Sequence, residues 1–316
     1  MPEPIDMLRL LRSAKKTIDA QTETGGTLTS IKKVFLGPAH NPAVYPVISV
    51  LPVEELPIEI WNGLIETNRR IKIEAFSHKK KSKDSMRASM GIIEQVKDLF
   101  ITKADAWLMP DPDTDVNMLY DSIIGETVPG SNPVPYRNGF ISSASIIINC
   151  FSKDELHYNI DGTSASSLSE TDAKTIVDTL LATFKSYQTG AEDFLSSTKS
   201  FKSFTLPPVP VYPVLFVGIE SESRVHKYTG RDAVNRSVNV YAISKLLSRE
   251  SSLRQNLTMI DLCRRIFFAN KDLGGIVNHY DYRGIVYGQL TVNNELLYGS
   301  SLNIDLDCIE ALPTES

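Results

Sequence analysis

The residues best suited to acid–base or metal chemistry in this sequence are its five histidines. None of them stands at the spacing of a recognisable metal site, or of a nucleophile with its base. The chain also contains an internal repeat, and none of the five has a histidine at its matched position in the other copy. We therefore interpret them as ordinary surface or loop residues, at positions His40, His78, His157, His226 and His279.

A run of alternating aspartates, Asp111, Asp113 and Asp115, resembles the start of a calcium-binding loop. Such a loop needs Gly at its sixth position and Glu at its twelfth, whereas this chain has Val116 and Ser122 there. A solvated acidic loop is the better interpretation. We predict no catalytic residues, no metal site and no cofactor, and therefore not an enzyme.

The three cysteines are the remaining candidates for nucleophilic or metal chemistry. Three thiols cannot all pair, and their spacing fits neither a zinc site nor a disulfide framework. Cys150 and Cys308 fall on the apolar side of alternating strands, where a free cysteine behaves as a small hydrophobic residue. We expect all three to stay reduced in a cytoplasm.

The charge and hydropathy patterns exclude further classes of protein. A net charge of −5 does not favour a nucleic-acid-binding protein. No apolar run approaches the roughly 20 residues that span a bilayer, and the N-terminus lacks the features of a signal peptide. The basic run from Lys79 to Lys83 could touch phosphate or an acidic partner. Because its counterpart at 246–250 is not basic, a solvated helix entry is the preferred interpretation.

The chain repeats itself at a fixed offset. Val-Tyr-Pro-Val at 44–47 returns at 211–214, so the offset is 211 − 44 = 167 residues. At the same offset, the strand-like segment 68–77 and the helix-like segment 85–100 each find a matching apolar pattern. Because one register holds across strand, loop and helix, we predict two copies of one domain.

Each copy reads as a helix, a strand, a long connection, a strand, a helix and two further strands. In the first copy these elements are predicted at residues 5–20, 44–51, 70–77, 82–102, 120–124 and 142–151. Apolar residues alternate in the strands and recur at helical spacing in the helices. The predicted fold class is α+β: two tandem copies of a small domain, each with a mostly antiparallel four-stranded sheet packed by helices on one face.

The predicted domain boundaries follow from composition. Copy one spans residues 1–160, and copy two spans residues 171–316. The segment 161–170 between them is rich in Gly, Ser, Thr and Ala, which is typical of a linker. A polar, Pro-rich insert at 104–139 has no assigned role.

The long connections at 51–69 and 218–235 are predicted to project as arms, because hairpin loops usually have 2–5 residues. The first arm is too apolar for a solvated loop and suggests a partner surface. Its candidate interface residues are Ile58, Ile60, Trp61, Leu64 and Ile65. The second arm is polar and suggests salt-sensitive contacts. Its candidate interface residues are Arg224, Lys227 and Arg231.

Arg87 and Arg254 are identical residues at matched positions, near the start of the second helix of each copy. A positive charge there opposes the helix dipole. We therefore expect an ion pair that offsets this cost, either inside the domain or across an interface. Both arginines are included among the candidate interface residues.

The order of elements is similar to that of the tail-terminator (tail completion) family of tailed bacteriophages. The resemblance rests on the N-terminal helix, the Pro-led strand, the long arm, the alternating strand that runs into one long helix (70–102 and 237–270), and the final alternating strand (142–151 and 300–309). Members of that family cap the finished tail tube as a hexameric ring and present a surface for the head. They usually have one domain, whereas this chain has two predicted copies, so three or six chains could complete the ring.

This resemblance implies a structural virion protein that ends assembly of the tail tube or sheath and joins the tail to the head or neck. The partners implied are further copies of the chain, a tube or sheath protein, and a neck or connector protein, with DNA only as the passing genome and no membrane. The protein would be assembled in the host cytoplasm and reside in the virion. One alternative is another neck or baseplate ring subunit. The other is a duplicated enzyme or ligand-binding protein with an interdomain site, which would show a concave pocket with convergent polar groups.

Overall fold

The computed structural model of the chain describes most of its residues. These are residues 6–39, 42–61, 64–102, 118–130, 132–155, 172–189, 195, 197–203, 211–228, 231–245, 248–270, 272–292 and 295–311. The chain divides into two compact units, Met1–Asp154 and Glu155–Ser316. The predicted linker at 161–170 and the acidic run at 111–115 lie outside the described residues.

The first unit contains two helices and seven strands. The helices are α1 (Met7–Asp19) and α2 (Ser82–Thr102). The strands are β1 (Lys33–Leu36), β2 (Val47–Trp61), β3 (Leu64–Lys79), β4 (Asp121–Ile124), β5 (Val128–Pro129), β6 (Val134–Tyr136) and β7 (Gly139–Glu155). The strand order is β4-β7-β3-β2, with β1 parallel to β2, and with β5 and β6 also pairing with β7.

The second unit contains two helices and five strands. The helices are α3 (Ala173–Thr189) and α4 (Arg249–Ala269). The strands are β8 (Ser200–Ser203), β9 (Val214–Tyr228), β10 (Arg231–Ser244), β11 (His279–Val292) and β12 (Glu295–Ala311). The strand order is β11-β12-β10-β9-β8, with β8 parallel to β9.

The protein is therefore mixed α/β, with mostly antiparallel strands and four helices in its described part. Each unit has more strands than the four predicted. The additional strands are short segments, β1, β5, β6 and β8, of two to four residues. Segments this short carry too little alternation of apolar and polar residues for the sequence to reveal them. None of the four helices is long and apolar enough to cross a membrane.

The two predicted arms are a different structure from the one expected. Residues 51–69 and 218–235 are not irregular connections but belong to two long antiparallel hairpins, β2–β3 and β9–β10. Pro52 and Pro57 favoured a loop in the sequence. In the structure each proline stands beside an irregularity in the β2–β3 register, and a bulge is one of the places where a strand accepts proline.

The strand before each hairpin also begins later than predicted. Val44 and Val211 precede the strands, which start at Val47 and Val214. A cis peptide bond joins Tyr45 to Pro46 in the first unit, and Tyr212 to Pro213 in the second.

The hydrophobic core of the first unit lies between its sheet and its helices. Alternate residues of β3 are buried, including Ile71, Ile73 and Ala75, and α2 packs on this strand. The helix contributes Ile93 and Phe100, which follow the predicted helical spacing. The bounds predicted for α2 are confirmed. In β7 the predicted apolar face is also confirmed, by the burial of Ala144, Ile146, Ile148 and Cys150.

The core of the second unit is built in the same way. Helix α4 packs on β10 and β12, and it begins after Ser248, whose hydroxyl accepts a hydrogen bond from the Ser251 N–H. Such a cap satisfies one of the N–H groups that the first helical turn leaves free. The predicted apolar face of β12 is confirmed by the burial of Leu302, Ile304, Leu306 and Cys308.

Candidate functional site: the two long hairpins

The two hairpins are irregular at the same places. The β2–β3 register skips one residue of β2 at Val53 and another at Ile58. The β9–β10 register skips one residue of β9 at Glu220 and another at Val225. Each of these pairs is 167 residues apart. A bulge bends its strand and increases the local twist, so the matched bulges give the two hairpins the same curvature.

A buried ion pair connects the strands of the first hairpin. Arg69 lies on the buried face of β3, and its Nε donates a hydrogen bond to Glu55 Oε2 at 2.9 Å. Glu55 is directly opposite in the register, and only 2% of its side chain is exposed. The guanidinium also donates to the Ser152 hydroxyl on β7. The pair thus joins three neighbouring strands through one side chain.

The second hairpin has the same pair at matched positions. Arg236 Nε donates to Glu222 Oε2 at 2.8 Å, and the two residues are directly opposite in the register. The Arg236 side chain is buried, but 37% of the Glu222 side chain is exposed. The two pairs therefore have the same chemistry and geometry, and differ in how much water reaches the carboxylate.

These arginines were not predicted as site residues. Their identity at matched positions was visible in the sequence, and so was a glutamate at the matching offset. An arginine on the apolar face of an alternating strand, accompanied by a glutamate that keeps its offset, is the signal that could have identified them. Charged residues are rarely buried unless they are paired.

Further polar contacts recur at the offset of 167. Ser77 Oγ donates to the Ser85 carbonyl at 2.5 Å, and Ser244 Oγ donates to the Ser252 carbonyl at 2.5 Å. These bonds tie the end of each hairpin to the first turn of the following helix. Where the chain enters each hairpin, the Lys32 N–H donates to the Pro46 carbonyl and the Lys199 N–H donates to the Pro213 carbonyl, both at 2.9 Å.

The predicted interface residues of the first arm have different surroundings. Ile58, at the second bulge, is exposed over 52% of its surface. Leu64 is half-buried, and Ile65 is fully buried in the face that carries Arg69. Ile60 and Trp61 belong to β2, but their side chains lie outside the described part of the structure.

The candidate residues of the second arm lie toward the far end of the second hairpin. Arg224 is exposed and directly opposite Val234. Lys227 lies in β9 and pairs with Asp232, and Arg231 begins β10. The side chains of Lys227 and Arg231 are outside the described part.

The matched helix arginines differ in their contacts. Arg254 forms an ion pair with Glu250 one turn earlier, at 2.6 Å. Arg87 is exposed, and the residue one turn before it is Lys83 rather than a glutamate. The intradomain ion pair expected for these arginines is therefore present at Arg254, where Glu250 also offsets the helix dipole.

The groups considered first for chemistry are positioned as follows. Burial raises the pKa of the Cys150 thiol to about 12, against the opposing charge of Arg69. Burial likewise raises the pKa of the thiols of Cys263 and Cys308. A thiol reacts as its thiolate, so these environments suppress nucleophilic chemistry near neutral pH. Within the described residues, no group of three His, Cys, Asp or Glu side chains could hold a metal ion.

Two histidines have described side chains. His78 Nε2 lies 3.1 Å from the Tyr136 carbonyl oxygen, and its ring packs against Tyr45 and Tyr136. His279 is exposed at the start of β11. His40 and His157 lie outside the described residues, as does the side chain of His226. The basic run predicted to be solvated is exposed at Lys79, Lys80, Lys81 and Lys83.

No protein-family model matches this chain, and no curated protein sequence matches it significantly.

Proposed function

We propose that the two units are tandem copies of one domain, each with the four principal strands β2, β3, β4 and β7 or their counterparts β9, β10, β11 and β12. The proposal is supported by the common strand order, by the paired bulges and by the Arg–Glu pairs, all at a constant offset. An experimental structure tests it by superposition, with Ile73 over Val240 and Ile93 over Ile260. A different strand order around α2 and α4 would contradict it.

We propose further that the protein is a structural virion subunit, forming a ring at the head-proximal end of a phage tail. There it would end assembly of the tail tube or sheath and join the tail to the head or neck. The observation that carries this proposal is the recurrence of one hairpin-and-helix architecture twice in the chain. Two similar units in one chain offer equivalent lateral surfaces, so three chains supply six units and six chains supply two tiers.

The surfaces of the hairpins support contacts with other proteins. Ile58 is a large apolar side chain that is exposed near the end of the first hairpin, where a partner could bury it. The corresponding part of the second hairpin carries charged residues, including Arg224. We therefore assign apolar docking to the first hairpin and salt-sensitive contacts to the second. A net charge of −5 suits a conduit that DNA passes without tight phosphate contacts.

Immunogold electron microscopy tests the proposed location. Antibodies against the purified chain are applied to phage particles from a lysate that contains the protein, with antibodies against a capsid protein as the control. We expect gold at the junction of head and tail. Particles labelled by the control antibody but never at that junction would contradict the proposal.

A further inference from the structure

One edge of the second unit has no neighbouring strand over most of its length. Strand β8 pairs with β9 only from Val214 to Val217. From Gly218 to Tyr228, no strand of the described chain lies on that side of β9, although β10 pairs with its other side. The unpaired N–H and C=O groups of such an edge form a template for another strand.

The matched part of the first hairpin differs in exposure. Residues 53–57 of β2 are all buried or half-buried, whereas residues 220–224 of β9 are all exposed. The difference includes the two paired glutamates, since Glu55 is almost inaccessible to solvent and Glu222 is accessible. The folded chain therefore covers this position in one unit and leaves it open in the other.

Protection against unwanted pairing does not explain the open edge. Bulges and charged residues do protect free edges in natural proteins, and β9 has both. However, β2 has bulges at the same two positions and carries Glu54 and Glu55, yet these residues are covered. A bulged, acidic hairpin edge is thus compatible with a covering neighbour in this fold.

The first unit offers a second and different edge. Strand β4 ends the strand order of that unit and pairs only with β7. It exposes Asp121 and Ile123, and Lys153 lies beside it, with its Nζ 5.0 Å from the centre of the Tyr120 ring. The two edges have opposite charges to exchange, because the open part of β9 carries Glu220, Glu222 and Arg224.

We propose that the open edge of β9 is covered by the β4 edge of a second copy of this chain, so that copies join head to tail. Two different edges on one chain give a heterologous contact, and such contacts close into rings when the rotation between copies allows it. This inference rests on the proposed ring and names the strands that form its contact between chains.

Cysteine cross-linking with a short bismaleimide tests the contact without requiring a known register. The reactive pair is Ser223→Cys with Ile123→Cys, both at exposed positions, while the three native cysteines are buried. The control pair is Ser223→Cys with Thr258→Cys, because Thr258 is exposed on α4. Light scattering of the same samples before cross-linking reports whether the chains assemble.

We expect covalent multimers, up to the full ring, for the Ser223→Cys/Ile123→Cys variant, and monomers for each single variant and for the control pair. If the chains form rings but this variant cross-links no more than the control, the contact is wrong and the ring remains. Cross-linking of Ser223→Cys alone would indicate β9 against β9 and would also overturn the contact. Chains that stay monomeric at every concentration would overturn both the contact and the proposed ring.

Discussion

Arg69 and Arg236 stand 167 residues apart, and each donates its Nε hydrogen to the glutamate directly across its hairpin. The distances to Glu55 and Glu222 are 2.9 and 2.8 Å. What differs is the exposure of the carboxylate, which is nearly absent at Glu55 and substantial at Glu222. Because water can solvate a charge that has lost its partner only where it can reach it, these similar pairs should respond differently to mutation.

The first prediction compares these arginines. Arg69→Met leaves the carboxylate of Glu55 buried without its partner, and it should lower the free energy of unfolding by about 3–5 kcal/mol. Arg236→Met should cost less, because water can solvate Glu222. Urea unfolding followed by circular dichroism measures both. An equal or larger loss for Arg236→Met would show that exposure of the carboxylate does not decide the cost.

The second prediction concerns the closing strands. Ile148→Asp and Leu306→Asp place a carboxylate in the core of each unit, at positions with at most 1% exposure. Each should abolish soluble expression, since a buried unpaired charge costs several kcal/mol. The matched control is Ile147→Asp, because Ile147 is half-buried on the opposite face of β7. Soluble, monodisperse Ile148→Asp protein would contradict the assigned face.

The third prediction concerns thiol reactivity and pH. At pH 8 none of the three cysteines should react rapidly with a thiol reagent in the native protein, because burial raises the pKa of Cys150 to about 12 and raises those of Cys263 and Cys308. All three should react in guanidinium chloride. Since the folded-state pKa values lie above the unfolded value of about 8.5, ionisation favours the unfolded chain as pH rises past that value. A cysteine that reacts at once in the native state would contradict this.

The fourth prediction concerns the end of the first hairpin. Ile58→Asp should leave the fold and melting temperature nearly unchanged, because Ile58 is 52% exposed, but should prevent assembly if a partner buries this side chain. Ile101→Asp is the control, since Ile101 is similarly exposed near the end of α2. Assembly is measured by size-exclusion chromatography with light scattering. Equal behaviour of the two variants would remove Ile58 from the assembly surface.

The regular elements could be predicted because their apolar residues follow one period. Helix α2 and strands β7 and β12 have long stretches of such spacing, and their faces were predicted from it. The hairpins were missed for a physical reason. Bulges accommodate Pro52 and Pro57 and shift the alternation of β2, so prolines and broken periodicity indicated a loop where a strand continues.

The candidate site was less predictable, because its main feature depends on pairing between strands. Nothing in the local sequence around Arg69 indicates burial, because a lone arginine in a strand is normally exposed. Its burial requires Glu55 from the opposite strand and Ser152 from β7, and those partners meet only in the folded sheet. The matched position of Arg236 was visible in the sequence, but its role was not.

The central claim is that this chain assembles laterally into a closed ring of matched units. Native mass spectrometry of the purified, concentrated protein tests it most directly, because it counts the chains in each assembly. The account predicts a closed species of three or six chains of 35.1 kDa, with no ladder of larger open forms. A protein that remains a monomer, or that forms only a dimer, under all concentrations and salt conditions would contradict it.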